Sequence, residues 1–293
     1  MRVIKTAEAG QLELFAISAF TTKADVTTKA LRELMGANLF NIGNKHRANI
    51  SHRYGNRFAG VSSEGAGGGV ASVHDNDILI FIISHLVHAL NRGDDISSRI
   101  FFTAHEFFRF TNRRHIGGTR YINIWESLKR LNGTIVHTNI DLANGNTLEH
   151  RFNWLADITR HKTNSGKALG FSVKLADIIF KAINSSAPAV LSLDKRYFDF
   201  KSGNDKFLYL YARRSAGIEK EWAATESTIH QRSGTSVILS QYRRLLDRVI
   251  ETGELADYRV RRAFIGHERA VVFQRKWETP RVRKKTVMLL GDD

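Results

Sequence analysis

Residues 234–275 read GTSVILSQYRRLLDRVIETGELADYRVRRAFIGHERAVVFQR. A glycine opens the stretch, apolar residues then recur at helical spacing, and alternation follows on both sides of a single glycine. Leu239, Tyr242, Leu245, Leu246, Val249 and Ile250 share one face of a helix over 236–251. Residues 257–263 and 269–277 alternate as two strands that turn at Gly266. A turn, an amphipathic helix and a basic hairpin in that order are the grammar of a winged helix-turn-helix. Such a unit buries one helix face and offers the other to a duplex.

The offered face has the right chemistry. With the apolar stripe buried, Ser236, Ser240, Gln241, Arg244 and Arg248 point outward, and Arg243 lies at the margin. A helix fits the major groove, where Arg, Gln and Ser read base edges. The helix N-terminus lies deepest, so Ser236, Ser240, Gln241 and Arg244 are expected on bases, and Arg243 and Arg248 on phosphates. The hairpin adds Arg259, Arg261, Arg262 and Arg269, with Arg259 and Arg261 on one strand face. Arginines so placed take phosphates or enter the minor groove. Residues 205–285 carry 18 basic against 10 acidic side chains.

A thinner copy of the pattern precedes it. His74-Asp75-Asn76-Asp77 supplies cap-type residues before an apolar helix at about 76–91. A short strand at 100–102 and a helix at about 104–112 follow. Helix 119–132 then turns Tyr121, Ile124, Trp125, Leu128 and Leu131 inward and exposes Arg120, Asn123, Ser127 and Arg130. The segments GTIVHTNIDL and EHRFNWLADITRH alternate around Asn144-Gly145, a hairpin signal, and supply the wing expected of this first unit. Because this unit is less basic, it is expected to divide its role between DNA contact and self-association.

In the second half, 204–216 reads as a helix with Phe207, Leu208, Leu210 and Tyr211 in its core, and 226–233 as a shorter helix before Gly234. The expected fold is therefore α+β, with two tandem winged helix-turn-helix domains. Residues 1–45 form a peripheral segment, 46–188 the first domain, 189–279 the second and 280–293 a basic tail. The glycine-rich run at 65–69 reads as a surface hairpin or linker. Tyr197, Phe198, Tyr209 and Tyr211 read as core aromatics.

Charge decides the class of partner. The 293-residue chain has 44 Lys+Arg, 29 Asp+Glu and a net charge of +15, the footprint of a polyanion binder. It has no cysteine, so disulfides, thiolate metal sites and thiol catalysis are excluded. The longest apolar stretch, ILIFIISHLVHAL at 78–90, is 13 residues, short of the ~20 that span a bilayer. No membrane partner is expected.

Enzyme motifs fail one by one. The twelve histidines form no His-x-His pair, which a nicking initiator would use for its metal. His85 and His88 lie on an apolar helix and read as core or helix-edge residues. His105-Glu106 begins like a zinc-protease helix, but Arg109 occupies the second histidine's place. Asn164-Ser165-Gly166-Lys167 resembles the end of a P-loop, yet Ala168 follows the lysine and His161 stands where glycine is needed. No catalytic, metal or cofactor site is expected.

Five segments together resemble the plasmid replication initiator protein A family: HDNDILIFIISHLVHALNRG (74–93), GGTRYINIWESLKRLNGTIVHTNI (117–140), LSLDKRYFDF (191–200), LYLYARR (208–214) and SGTSVILSQYRRLLDRVI (233–250). The resemblance extends over roughly residues 33–275. It implies two winged-helix domains, sequence-specific binding to origin repeats in plasmid DNA, and recruitment of host replication proteins such as an initiator or helicase. It also implies repression of the initiator's own promoter by a homodimer joined through the first domain, and a cytoplasmic place with the nucleoid or plasmid. A repressor built on the same domains is the alternative reading; a nicking initiator is a third.

Overall fold

The computed structural model describes residues 18–19, 26–63, 69–113, 118–140, 147–166, 168–185, 190–217 and 219–276. The expected basic tail, the glycine-rich run up to Gly68 and the Asn144-Gly145 turn lie outside the described residues. Within them, α and β elements mix throughout.

Two halves repeat one element order. The first runs α1 (Asn76–Asn91), β5 (Arg99–Phe102), α2 (Ala104–Phe110), α3 (Gly118–Gly133), β8 (Leu155–Lys162) and β9 (Ala168–Leu175). The second runs α5 (Gly203–Ala216), β11 (Glu221–Thr225), α6 (Glu226–Ser233), α7 (Leu239–Thr252), β13 (Tyr258–Ile265) and β14 (Glu268–Arg275). Strand pairing repeats as well. β9 lies between β5 and β8, and β14 lies between β11 and β13, with these pairs antiparallel.

The first half holds an insertion that the sequence pattern hid. β6 (Thr134–Ile140) and β7 (Thr147–Asn153) do pair as a hairpin, but they extend a separate sheet with β3 (Asn49–Tyr54) and β4 (Arg57–Ser63), in the order β3-β4-β6-β7. The run 147–162 is therefore two strands in two sheets. Trp154 divides them. Its indole is fully buried, stacks on Phe40 at 5.0 Å and meets Phe152 edge-on. The hairpin equivalent to β13–β14 is β8–β9, which turns through Thr163–Gly166 rather than through 143–146. The P-loop-like run Asn164-Ser165-Gly166 is part of that turn.

Of the segment 1–45 expected to be peripheral, the described part from Val26 to Asn41 is largely core. Val26, Thr28, Leu31, Met35, Leu39 and Phe40 are buried. β2 (Lys29–Leu31) pairs with β10 (Val190–Ser192), so this strand is stitched to the link between the halves. α4 (Asp177–Ile183) closes the first half. Tyr197, Phe198, Tyr209 and Tyr211 are core residues, as their pattern indicates. No helix among the described residues is long and apolar enough to cross a membrane.

The halves meet at a buried charge. Asp77 in the first turn of α1 and Lys206 in the first turn of α5 are both 0% exposed. Lys206 Nζ donates to both Asp77 oxygens, at 2.8 and 3.1 Å, and stands 4.0 Å from the centre of the Tyr197 ring. Arg113 Nη2 donates to Asp77 at 2.7 Å from the partly exposed side. Burial pulls the Lys206 ammonium below its usual pKa, and Asp77 pulls it back. Replacing a well-bonded buried pair with apolar residues of similar size is often harmless, whereas removing one partner strands the other. Asp77→Leu, which leaves the buried Lys206 ammonium without its carboxylate, is therefore expected to cost about 3–5 kcal/mol in urea unfolding, and Asp77→Leu/Lys206→Met to recover most of it.

His85 packs against Phe81 and Phe110, with ring centres 4.5 and 5.2 Å away, and its Nδ1 donates to the Phe81 carbonyl at 2.9 Å. Burial lowers its pKa from 6.5 to about 4, the Phe81 carbonyl resists that shift, and the charges of His88 and Arg109 assist it. The unfolded chain binds a proton below about 6.5 that the folded chain refuses. Stability is expected to be full above pH 6.5 and to fall toward pH 4, by up to about 3 kcal/mol from this group. His85→Phe should flatten that part of the unfolding profile.

Candidate nucleic-acid interface

The helix with the strongest sequence signal is built from both ends. Thr225 caps α6, its hydroxyl accepting from the Thr228 N–H at 3.2 Å. Gly234 ends α6 at φ +64°, and a Cβ there would lie 2.6 Å from Ile50 Cγ2. Only glycine satisfies both the backbone and the space. The first half grips this same turn: Asn38 Nδ2 donates to the Ser233 carbonyl at 2.8 Å, and Arg47 donates to the Gly234 carbonyl. α7 then begins at Leu239 and stops at Gly253, φ +70°.

Tyr242, Leu246 and Val249 form the buried stripe, and the Tyr242 hydroxyl donates to Asn204 Oδ1 on α5 at 2.7 Å. Ser240, Gln241, Arg244 and Arg248 are exposed on the other face, as expected. Ser236 is also exposed, but it precedes the helix instead of lying in its first turn. The helix starts late because Ile238, in extended conformation, is its N-cap residue.

Four of the expected hairpin and helix arginines are held by carboxylates. Glu226, fully buried at the start of α6, accepts from Arg243 Nε at 3.0 Å and from Arg269 Nε at 3.1 Å. Asp247 on α7 accepts from Arg269 Nη2 at 3.1 Å and from Arg262. Arg261 pairs with Glu221 across the sheet at 2.9 Å. A guanidinium has five donors, so these bonds leave others to offer. They fix α6, α7, β13 and β14 relative to one another. Arg259 is exposed in register with Glu254 and Gln274, and Arg259 and Arg261 share a face of β13 as the alternation requires.

The first half is different. Asn123 on α3 is exposed. Arg130 turns inward and clamps the buried Asp75 with two bonds of 2.8 and 2.7 Å, while Ser127 Oγ accepts from the same guanidinium at 3.2 Å. Asp75 lies at the start of α1 with almost no solvent contact, so it needs a countercharge. Arg130 and Ser127 thus belong to a structural clamp and not to the exposed face the helical wheel assigned them. The Arg120 side chain lies outside the described residues. Arg160 on β8, outside the residues expected at the interface, stands 5.2 Å over the Trp125 ring of α3. Its signal was the true second hairpin, two alternating strands around Gly166.

Glu106, weighed as part of a protease-like helix, is instead the partner of Thr103 in a capping box. Among the described residues no three His, Cys, Asp or Glu gather as a metal site would require.

Comparison with known proteins gives the class. The model of the family described as "Replication initiator protein A" matches residues 29–260, and the chain belongs to that family. A curated chain from Wigglesworthia glossinidia brevipalpis, provisionally named a replication protein, is 27% identical over 199 residues, covering 66% of this chain and 70% of that one. Among solved structures, domains 2 and 3 of RctB align with a TM-score of 0.57 and 13% identity, over 85% of this chain and 99% of that one. That last likeness is one of fold.

Proposed function

We infer that this replication initiator is a sequence-specific binder of double-stranded DNA with two tandem winged-helix domains. The observation that carries the reading is the repeated order helix, strand, helix, helix, strand, strand, with the same strand pairing in both halves. In that order the third helix reads the major groove and the last two strands form the wing. α7 is then the recognition helix, with Ser240, Gln241 and Arg244 on base edges and Arg248 on phosphates. β13–β14 is its wing, with Arg259, Arg261, Arg262 and Arg269 along the backbone of the duplex.

The first domain has a divided role, in DNA contact through Asn123 and the β8–β9 wing and in self-association as a homodimer. The inward turn of Arg130 supports giving it the smaller share of base reading. The sites are origin repeats in plasmid DNA, and the bound protein recruits host replication proteins to them in the cytoplasm. Repression of its own promoter follows from the same surface.

Binding is expected to weaken steeply with salt: ~6–10 phosphate contacts lose ~10³–10⁵ in affinity between ~50 and ~200 mM. Arg244→Ala should cost about 1–3 kcal/mol and relax preference at one base position, while Arg259→Ala should weaken all sequences alike. Fluorescence anisotropy on selected and random duplexes separates these effects. Salt-independent binding, or wild-type behaviour in both variants, contradicts the assignment.

The protein is also proposed to act without cutting DNA. Supercoiled plasmid incubated with it and Mg²⁺ is expected to stay supercoiled. A nick at a defined position would instead make it an enzyme.

A further inference from the structure

Five large apolar side chains are exposed among the described residues: Ile122, Leu169, Ile238, Phe264 and Ile265. They are not scattered. Ile122 is on α3 and Ile238 is at the start of α7. Leu169 and the Phe264-Ile265 pair lie beside the turns of the two corresponding hairpins. Each half therefore shows apolar surface at its third helix and at the end of its last hairpin.

The second hairpin carries the most. Tyr258 and Val260 of β13 are buried, and Arg262 and Phe264 continue the same face by alternation. Asp247 and Glu226 hold Arg262 and Arg269 from the helical side. Phe264, in register with Arg269, is 66% exposed, and Ile265 on the opposite face is 47% exposed. The turn is two residues, Gly266 at φ +60° and His267, so the tip is narrow and stiff.

Past Arg259 the outer edge of β13 has no strand beside it among the described residues, since β12 (Glu254–Leu255) pairs only with Tyr258 and Arg259. Charged side chains on such an edge oppose strand pairing with another protein. The same charges attract a polyanion. An apolar tip between arginines is complementary to a minor groove, whose rim is phosphate and whose floor is the edges of stacked bases. Proteins that enter that groove frequently wedge Phe, Leu or Ile between base steps.

We propose that Phe264, backed by Ile265, is an apolar wedge that the β13–β14 hairpin inserts into the minor groove, unstacking one base step. This rests on the DNA-binding reading above. Arg261, Arg262 and Arg269 deliver the tip to the groove, and the Glu226 and Asp247 carboxylates set its angle. Ile238 meets the same duplex from the major-groove side, where an apolar side chain suits a thymine methyl.

The test uses full-length protein and a duplex that the parent selects from a random-sequence pool, with 2-aminopurine placed at successive steps. The parent is expected to raise fluorescence at one step. Phe264→Ala should abolish that rise and lose roughly tenfold in affinity for the selected duplex. It should keep its affinity for random duplex within about twofold, because the phosphate contacts remain. Phe264→Trp should restore the signal. Phe264 is exposed, so both variants should fold like the parent, which circular dichroism checks. A parent that binds no duplex overturns the DNA-binding reading and the wedge with it. A parent that binds while Phe264→Ala keeps full affinity and the fluorescence rise overturns the wedge alone. So does a variant whose only change, in sedimentation, is loss of self-association, since the tip is then a protein contact.

Discussion

The ion pair between Asp77 and Lys206 is the constraint on which the arrangement of this molecule turns. Each charge sits in the first turn of the leading helix of its half, and neither meets solvent. A lysine at a helix start is opposed by the helix dipole, so Lys206 stays buried only with Asp77 beside it. The pair therefore fixes one half against the other. The apolar contacts agree, since Ile80 of α1 and Ala30 and Met35 of the N-terminal strap join the core of the second half.

That union reaches the proposed reading surface. The turn between α6 and α7 is held by Asn38 and Arg47, and Gly234 touches Ile50 of β3. The N-terminal segment and the inserted sheet thus hold the turn that leads into α7. Within the second half, Glu226 and Asp247 tie the helix to its hairpin through Arg243, Arg262 and Arg269. Acidic residues in a basic face weaken its charge slightly and make its geometry definite. For recognition that exchange is favourable, because base reading depends on register while phosphate attraction does not.

Much of the second half was legible in the sequence. The 3.6-residue spacing of Tyr242, Leu246 and Val249 and the alternation around Gly266 are local signals, and the structure keeps both. The first half was harder. No glycine or proline separates β7 from β8, so 149–161 reads as one strand, and only the burial of Trp154 between two sheets breaks it. The Arg130 clamp on Asp75 joins residues 55 apart and the Lys206 pair residues 129 apart. A helical wheel sees neither partner, which is why Arg130 and Ser127 looked exposed. The N-terminal strap hid for a related reason: its apolar residues are spaced irregularly and become core only by packing on α1, α5 and β10.

The central claim is that two like domains in fixed relation carry this initiator to particular DNA sites. A nuclease footprint of the full-length protein over the DNA adjoining its own gene tests it most directly. The account predicts several protected repeats beside an A·T-rich stretch, with protection lost as salt rises. Uniform, sequence-independent protection, or none at any salt at which the protein remains folded, would contradict it.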